Sequence, residues 1–270
     1  VVHGEVRLVA SDLDGTLLAP GAVVSERTAD VLRAVADRGV EVVAVTGRSH
    51  WSSVEILEAV GCIRWMICSN GATVYDAAAG AVVHDRPLGE GLLAEVVERL
   101  SKAFPTLGWA WETPEGIFHT EEWIRNRRAT NPGFATGTSR PADASDLGAA
   151  PVRKLMVTHD RLTTYEWLGA VEPHLPSGVH AATSGAMFVE VTRTDANKGD
   201  ALAELCRDLG VDRERTVAFG DHANDLTMLA WAGVSFAMAN AAPQVQAVAD
   251  HLAPDHAEDG VAQVLERLLS

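Results

Sequence analysis

Short apolar runs in this chain end abruptly on polar residues. The first, about Val6 to Ser11, leads into "DLDGTLL". A second, "VEVVAV" at 40–45, ends on Thr46, Gly47 and Arg48, and a third, "RWMICS", ends on Asn70 and Gly71. Far along the chain "RTVAF" runs into "GDHANDLTML", and "VSFAM" ends at Asn240. Runs this short, β-branched and apolar at successive positions, predict strands buried on both faces. Between them the apolar positions take helical spacing. One helix opens at Ser25 and is stopped by Gly39, another passes through Val54, Ile56 and Leu57 to Gly61, a third runs from Lys198 to Leu209, and the last starts at Asp259.

Strands alternating with helices predict an α/β fold, a Rossmann-like parallel sheet with helices on both faces. The middle of the chain departs from this rhythm. It reads as a hairpin across Asp76 to Gly80, a helix from Glu90 to Phe104, and strand-like pieces near Gly108–Trp111 and Ile117–Thr120. A long loop, Asn126–Ala150, follows, then "KLMVTH" at 154–159, a helix from Thr163 to Leu175, and strands near 179–183 and 187–192. The expected organisation is a core of residues 1–84 and 189–270 interrupted by an inserted α/β domain, 85–188.

In open parallel sheets ligands bind beyond the carboxyl ends of the strands. Four polar clusters are expected to meet there: Asp12 with Asp14, Thr46 with Gly47, Asn70 with Gly71, and Asp221 with Asp225. Several carboxylates in one crevice repel one another unless a cation lies among them. Oxygen ligands favour magnesium, which commonly works on phosphate groups, and the ammonium of Lys198 with the hydroxyl of Thr46 would complete a phosphoryl pocket.

Composition narrows the partners. The formal net charge of −15 opposes binding to nucleic acid or to an anionic membrane surface, so an anionic substrate has to be attracted locally. Cys62, Cys68 and Cys206 form no CxxC pair, which fits a reducing, cytoplasmic setting. His3, Glu5 and Arg7 interrupt the apolar start of the chain, so no targeting segment is expected.

The ordered set "DLDGTLL", "TGR" at 46–48, "SNGA" at 69–72, "NKG" at 197–199 and "GDHANDLTML" at 220–229 resembles the haloacid dehalogenase (HAD) superfamily of phosphotransferases, in its Cof-type class IIB branch. The resemblance spans nearly the whole chain. It implies a HAD core with the insertion as an α/β cap domain, and magnesium-dependent hydrolysis of a small phosphorylated metabolite, with sugar phosphates as the leading class. It implies Asp12 as the nucleophile that becomes an aspartyl phosphate, Asp14 as general acid and base, and Lys198 as the balancing cation. Asp12, the main chain of Asp14, and Asp221 would hold magnesium, with Asp225 and Asn224 supporting the site. Thr46, Gly47, Arg48, Asn70 and Gly71 would contact phosphate or substrate.

Carboxylate neighbours are expected to favour the protonated form of Asp14. His222 stands where the family tends to place a small residue, and reads as a loop histidine facing solvent. "APDHAEDGV" lacks the Thr and Asn that related sequences often carry before the acidic residue and glycine. In the insertion, Trp109, Trp111 and Trp123 are expected to pack its own core. Arg125, Arg127 and Arg128 form a solvated face or a reader of an acidic group. The rival activities are a hexose-phosphate mutase and a non-catalytic binder of a phosphorylated ligand.

Overall fold

The computed structural model describes residues 5–58, 60–131, 138–160, 164–183 and 187–269. The chain divides into two compact units, Val1–His84 with Asn197–Ser270, and Asp85–Ala196. The first begins with strand β1 (Leu8–Ser11), helix α1 (Glu26–Ala36), β2 (Glu41–Val45), α2 (His50–Glu58), β3 (Trp65–Cys68) and the hairpin of β4 (Thr73–Asp76) and β5 (Ala81–Asp85). Ser25 caps α1 by accepting from the Thr28 N–H, with Glu26 in the first turn and Arg33 in the last, each at the end its charge favours.

The second unit contains α3 (Glu90–Ala103), β6 (Gly108–Thr113), β7 (Gly116–His119), α4 (Glu121–Thr130), β8 (Arg140–Pro141), β9 (Lys154–Thr158), α5 (Thr164–Val171), β10 (Val179–Ala182) and β11 (Val189–Arg193). Its strands form one sheet in the order β10-β11-β9-β6-β7-β8. Trp109, Trp111, Leu155 and Val191 pack with Leu93 and Leu100 of α3 and Trp167 of α5, while Trp123 of α4 packs on Ala110 and Met156. The three tryptophans are therefore core residues of this unit.

Two sequence expectations change here. A boundary at 188 falls ahead of β11, which pairs antiparallel with β10 and with β9. Its apolar run resembles the strands of the first unit, and only its pairing partners assign it. The expected loop 126–150 begins inside α4, which Thr120 caps, and includes β8 and a short 3-10 turn at Ala144–Asp146. Residues 132–137 of that loop, and Thr163 at the expected helix start, lie outside the described residues.

The chain returns to the first unit with α6 (Lys198–Leu209), β12 (Thr216–Gly220), α7 (Leu226–Trp231), β13 (Val234–Met238), α8 (Pro243–Gln246), β14 (His251–Ala253) and α9 (Gly260–Leu269). The sheet order is β14-β13-β12-β1-β2-β3-β4-β5, parallel from β14 to β3 and antiparallel at β3–β4. Successive side chains point to opposite faces. Val9, Val42, Met66 and Phe219 pack against α1 and α9, whereas Leu8, Ala10, Val43, Ile67 and Ala218 pack against α6 and α7. The outcome is a three-layer α/β/α unit. Among the described residues no helix is long and apolar enough to cross a membrane.

Candidate active site

The sheet order sets β12, β1, β2 and β3 side by side, so the polar residues that follow them share one edge. The ladder runs one step past two strands: the Asp12 N–H donates to Phe219 O at 3.0 Å and the Thr46 N–H to Ile67 O at 2.8 Å. Alternation from Leu8 and Ala10 turns Asp12 toward the α6 face. There Lys198, the first residue of α6, is fully buried, with Nζ 2.5 Å from Asp12 Oδ1 and 2.6 Å from Asp225 Oδ1.

Small residues let α6 come this close. A Cβ on Gly71, which has φ +100°, would lie 2.2 Å from Asn197 O, and one on Gly199 would lie 2.5 Å from Thr227 O. Asn197 caps the helix, accepting from the Asp200 N–H at 2.9 Å. Burial opposes the charge on Lys198, but the carboxylates of Asp12 and Asp225 outweigh it and hold the ammonium above its usual range. Burial pushes Asp12 well up, and Asp225 and Asp221 add to that push against the opposing pull of Lys198.

Asp225 has partners on both oxygens: Lys198 on Oδ1, and the backbone N–H groups of Asp221 and His222, each at 2.9 Å, on Oδ2. Asp221 is framed as well. Its Oδ1 accepts from Thr16 Oγ1 at 2.9 Å, and its Oδ2 lies 2.6 Å from His222 Nδ1. Asp12, Asp221 and Asp225 each offer a carboxylate oxygen, and these atoms lie within 4.8 Å of one another. All three carboxyl groups are buried, two of them hold Lys198, and the donor set is oxygen alone. That chemistry fits a hard divalent cation of the magnesium type.

Asp14 is placed differently from expectation. Its carboxylate is gripped by Arg48, with Nε 2.7 Å from Oδ2 and Nη2 2.6 Å from Oδ1. It stands against a guanidinium, a partner the sequence reading did not give it. Arg48 thus pairs with Asp14. The hydroxyl of Thr46 accepts from the Arg48 N–H at 3.1 Å, which closes the turn through Gly47. Asn70 adopts a left-handed conformation, φ +59°, and its Oδ1 accepts from Asn224 Nδ2 at 3.0 Å, tying the loop after β3 to the loop after β12.

His222 is a loop residue whose side chain is 35% exposed, but its imidazole is turned onto Asp221. Its hydrogen bond to Asp221, helped by the charges around it, raises its pKa against the opposing effect of burial. Thr16 and Asn240 are site residues not singled out in the sequence. Thr16 lies inside the "DGT" run, and Asn240 follows an apolar strand as the other site residues do. The "APDHAEDGV" segment has structural bonds: His256 Nδ1 lies 2.8 Å from Leu18 O, and Asp259 Oδ1 accepts from Ser25 Oγ at 2.6 Å. In the second unit the arginines of α4 divide. Arg125 pairs with Glu122 at 3.6 Å, while Arg127 is buried beside Trp123 and Phe188.

The family model for haloacid dehalogenase-like hydrolases matches residues 9–265. The chain belongs to that family. It is 29% identical to the pyridoxal phosphate phosphatase YbhA of Escherichia coli K12, over 96% of this chain and 97% of the relative. It is 30% identical to an HMP-PP phosphatase of Escherichia coli O157:H7, over 91% of this chain and 89% of that protein. Among solved structures, the HAD phosphatase BT1666 from Bacteroides thetaiotaomicron superposes with a TM-score of 0.84 at 26% identity, covering 99% of this chain and 97% of its own. The protein is a Cof-type HAD phosphatase.

Proposed function

We propose that this phosphatase is a magnesium-dependent phosphomonoester hydrolase that acts on a small phosphorylated metabolite through an aspartyl phosphate on Asp12. The observation that carries the reading is the buried bridge of Lys198 between Asp12 and Asp225, with Asp221 beside it. A structural ion pair would match one acid with one base, whereas here three carboxyl groups offer oxygens within 4.8 Å of one another beside a single buried lysine.

Asp12, Asp221 and the main chain of Asp14 would hold the cation, and Asp225 would orient Lys198 and the 221–222 backbone. Bound there, magnesium would supply charge neutralisation for the phosphoryl oxygens. Lys198 keeps Asp12 Oδ1 in place, leaving the other carboxylate oxygen to attack phosphorus. As the new P–O bond to Asp12 forms, the ester P–O bond breaks, and Asp14 gives a proton to the departing oxygen. Water then transfers a proton to Asp14 while attacking phosphorus, releasing inorganic phosphate and restoring Asp12.

For Asp14 to serve, its pairing with Arg48 has to open. The released guanidinium is attracted to the dianionic phosphoryl group, which would couple substrate entry to readiness of the acid. Thr46, Gly47, Asn70, Gly71 and Asn224 supply the phosphate and substrate contacts in this reading. The first unit would carry the chemistry and the unit Asp85–Ala196 would serve as the cap that selects the leaving group.

The substrate names of the relatives widen the class beyond sugar phosphates, since one is a phosphatase of pyridoxal phosphate. The test is a phosphate-release screen across sugar phosphates, pyridoxal 5′-phosphate and nucleotides, with and without magnesium. Release that needs magnesium supports the reading; release undiminished by chelator overturns it.

A further inference from the structure

Asn240 sits just past β13, the strand on the far side of β12 from β1. Its side chain reaches over the end of β12: Nδ2 donates to Gly15 O at 2.8 Å and lies 3.5 Å from Asp221 Oδ2. Its Oδ1 accepts from the His256 N–H at 3.2 Å. One exposed amide therefore joins the loops that follow β1, β12, β13 and β14.

The Gly15 contact matters because Gly15 is the wall against which Asp221 rests. With φ +84°, Gly15 approaches so closely that a Cβ there would lie 2.3 Å from Asp221 Oδ2. The next residue, Thr16, donates its hydroxyl to Asp221 Oδ1 at 2.9 Å. Pinning the Gly15 carbonyl thus fixes both the surface behind the carboxylate and the donor that sets its rotation. The direct contact with Oδ2 is long and adds little by itself.

We propose that Asn240 is a positioning residue that acts through Gly15 and Thr16 on Asp221 and so sets the affinity for the divalent cation. This rests on the cation-assisted reading of the site. Groups that orient metal-ligating carboxylates typically account for about 10–100-fold in metal affinity. The effect belongs on the cation and not on the phosphoryl group, because none of Asn240's recorded partners is an expected phosphate contact.

The test is Mn2+ binding to the chelator-stripped full chain, read from the electron paramagnetic resonance of the free ion, for wild type, N240A, N240Q and D221A. Expected are wild-type binding, loss in D221A, an approximately tenfold weaker affinity in N240A and partial recovery in N240Q, which keeps the amide. At saturating cation, N240A should keep the wild-type KM for a phosphomonoester. A merely structural tie would lower the thermal midpoint and disturb KM while leaving Mn2+ affinity intact. N240A binding Mn2+ as tightly as wild type overturns the proposal. If D221A also binds as wild type, the cation reading itself is wrong.

Discussion

Lys198 Nζ lies 2.5 Å from Asp12 Oδ1 inside a site from which solvent is excluded at the lysine. A buried ammonium between two carboxylates is a commitment of the fold, because removing one member strands the others. Lys198→Met is expected to abolish measurable turnover. It should also destabilise the metal-free protein by up to about 3–5 kcal/mol, the scale for breaking a buried ion pair. Urea unfolding with chelator present reads the second effect. Unchanged stability would mean that Asp12 and Asp225 shed their charge at no cost.

Asp14 and Arg48 form a two-bond pair, and the mechanism requires that pair to open. Asp14→Asn should lower kcat by about 10²–10⁴-fold, the usual contribution of a positioned acid and base, with little change in KM. Arg48→Ala should instead raise KM for dianionic esters more than it lowers kcat. Steady-state kinetics on one good ester separates the two. Equal effects on kcat from both variants would assign Arg48 to the chemistry itself.

Gly71→Ala tests how α6 is seated. The added methyl would meet the Asn197 carbonyl at 2.2 Å, with a backbone already at positive φ, so the helix start that carries Lys198 has to shift. Activity should fall on the order of a hundredfold, as a displacement of about 1 Å in a catalytic group predicts. Wild-type activity in this variant would show that the seat of α6 has slack.

Far from the site, Asp76 provides a pH dependence with a clear sign. Its carboxylate accepts from Arg64 Nε and Nη2 at 3.1 and 2.8 Å and from the Ala78 and Ala79 N–H groups. The Arg64 bond chiefly holds its pKa below the usual carboxylate range. A depressed folded-state pKa contributes stability that is complete above the unfolded value, about 4, and is lost as pH falls through the folded one. The melting-temperature gap between wild type and Asp76→Asn should therefore be steady from about pH 5 to 7 and close below about pH 4. A gap that widens in acid would contradict the assignment.

Much of this site was legible because its residues follow apolar strands directly. Asp12, Thr46, Asn70 and Asp221 are fixed by strand ends, and a parallel sheet brings strand ends together whatever lies between them. Lys198 was legible only through the ordered set of motifs, since a lysine at a helix start, taken alone, reads as a surface residue. The pairing of Asp14 with Arg48 was not legible, since it depends on side-chain torsions across two loops. Thr16 was missed for a related reason, being an ordinary polar residue until a neighbouring loop gives it a partner, while Asn240 was noted only as the end of its strand. Helix α4 was partly hidden because "EEWIRNRRAT" has few apolar positions, although Thr120 and the paired glutamates marked its start and the arginines its end. His222 shows the limit of reading an unusual residue by exposure alone, for its imidazole meets the one carboxylate beside it in sequence.

The most direct measurement is acid-quench trapping with a phosphomonoester carrying labelled phosphorus, followed by mapping of the label. The account predicts a covalent phosphoryl group on Asp12 that is labile to hydroxylamine, that forms only with magnesium present, and that is absent in Asp12→Asn. Phosphate release by Asp12→Asn at the wild-type rate, or a label found on His222 instead, would contradict it.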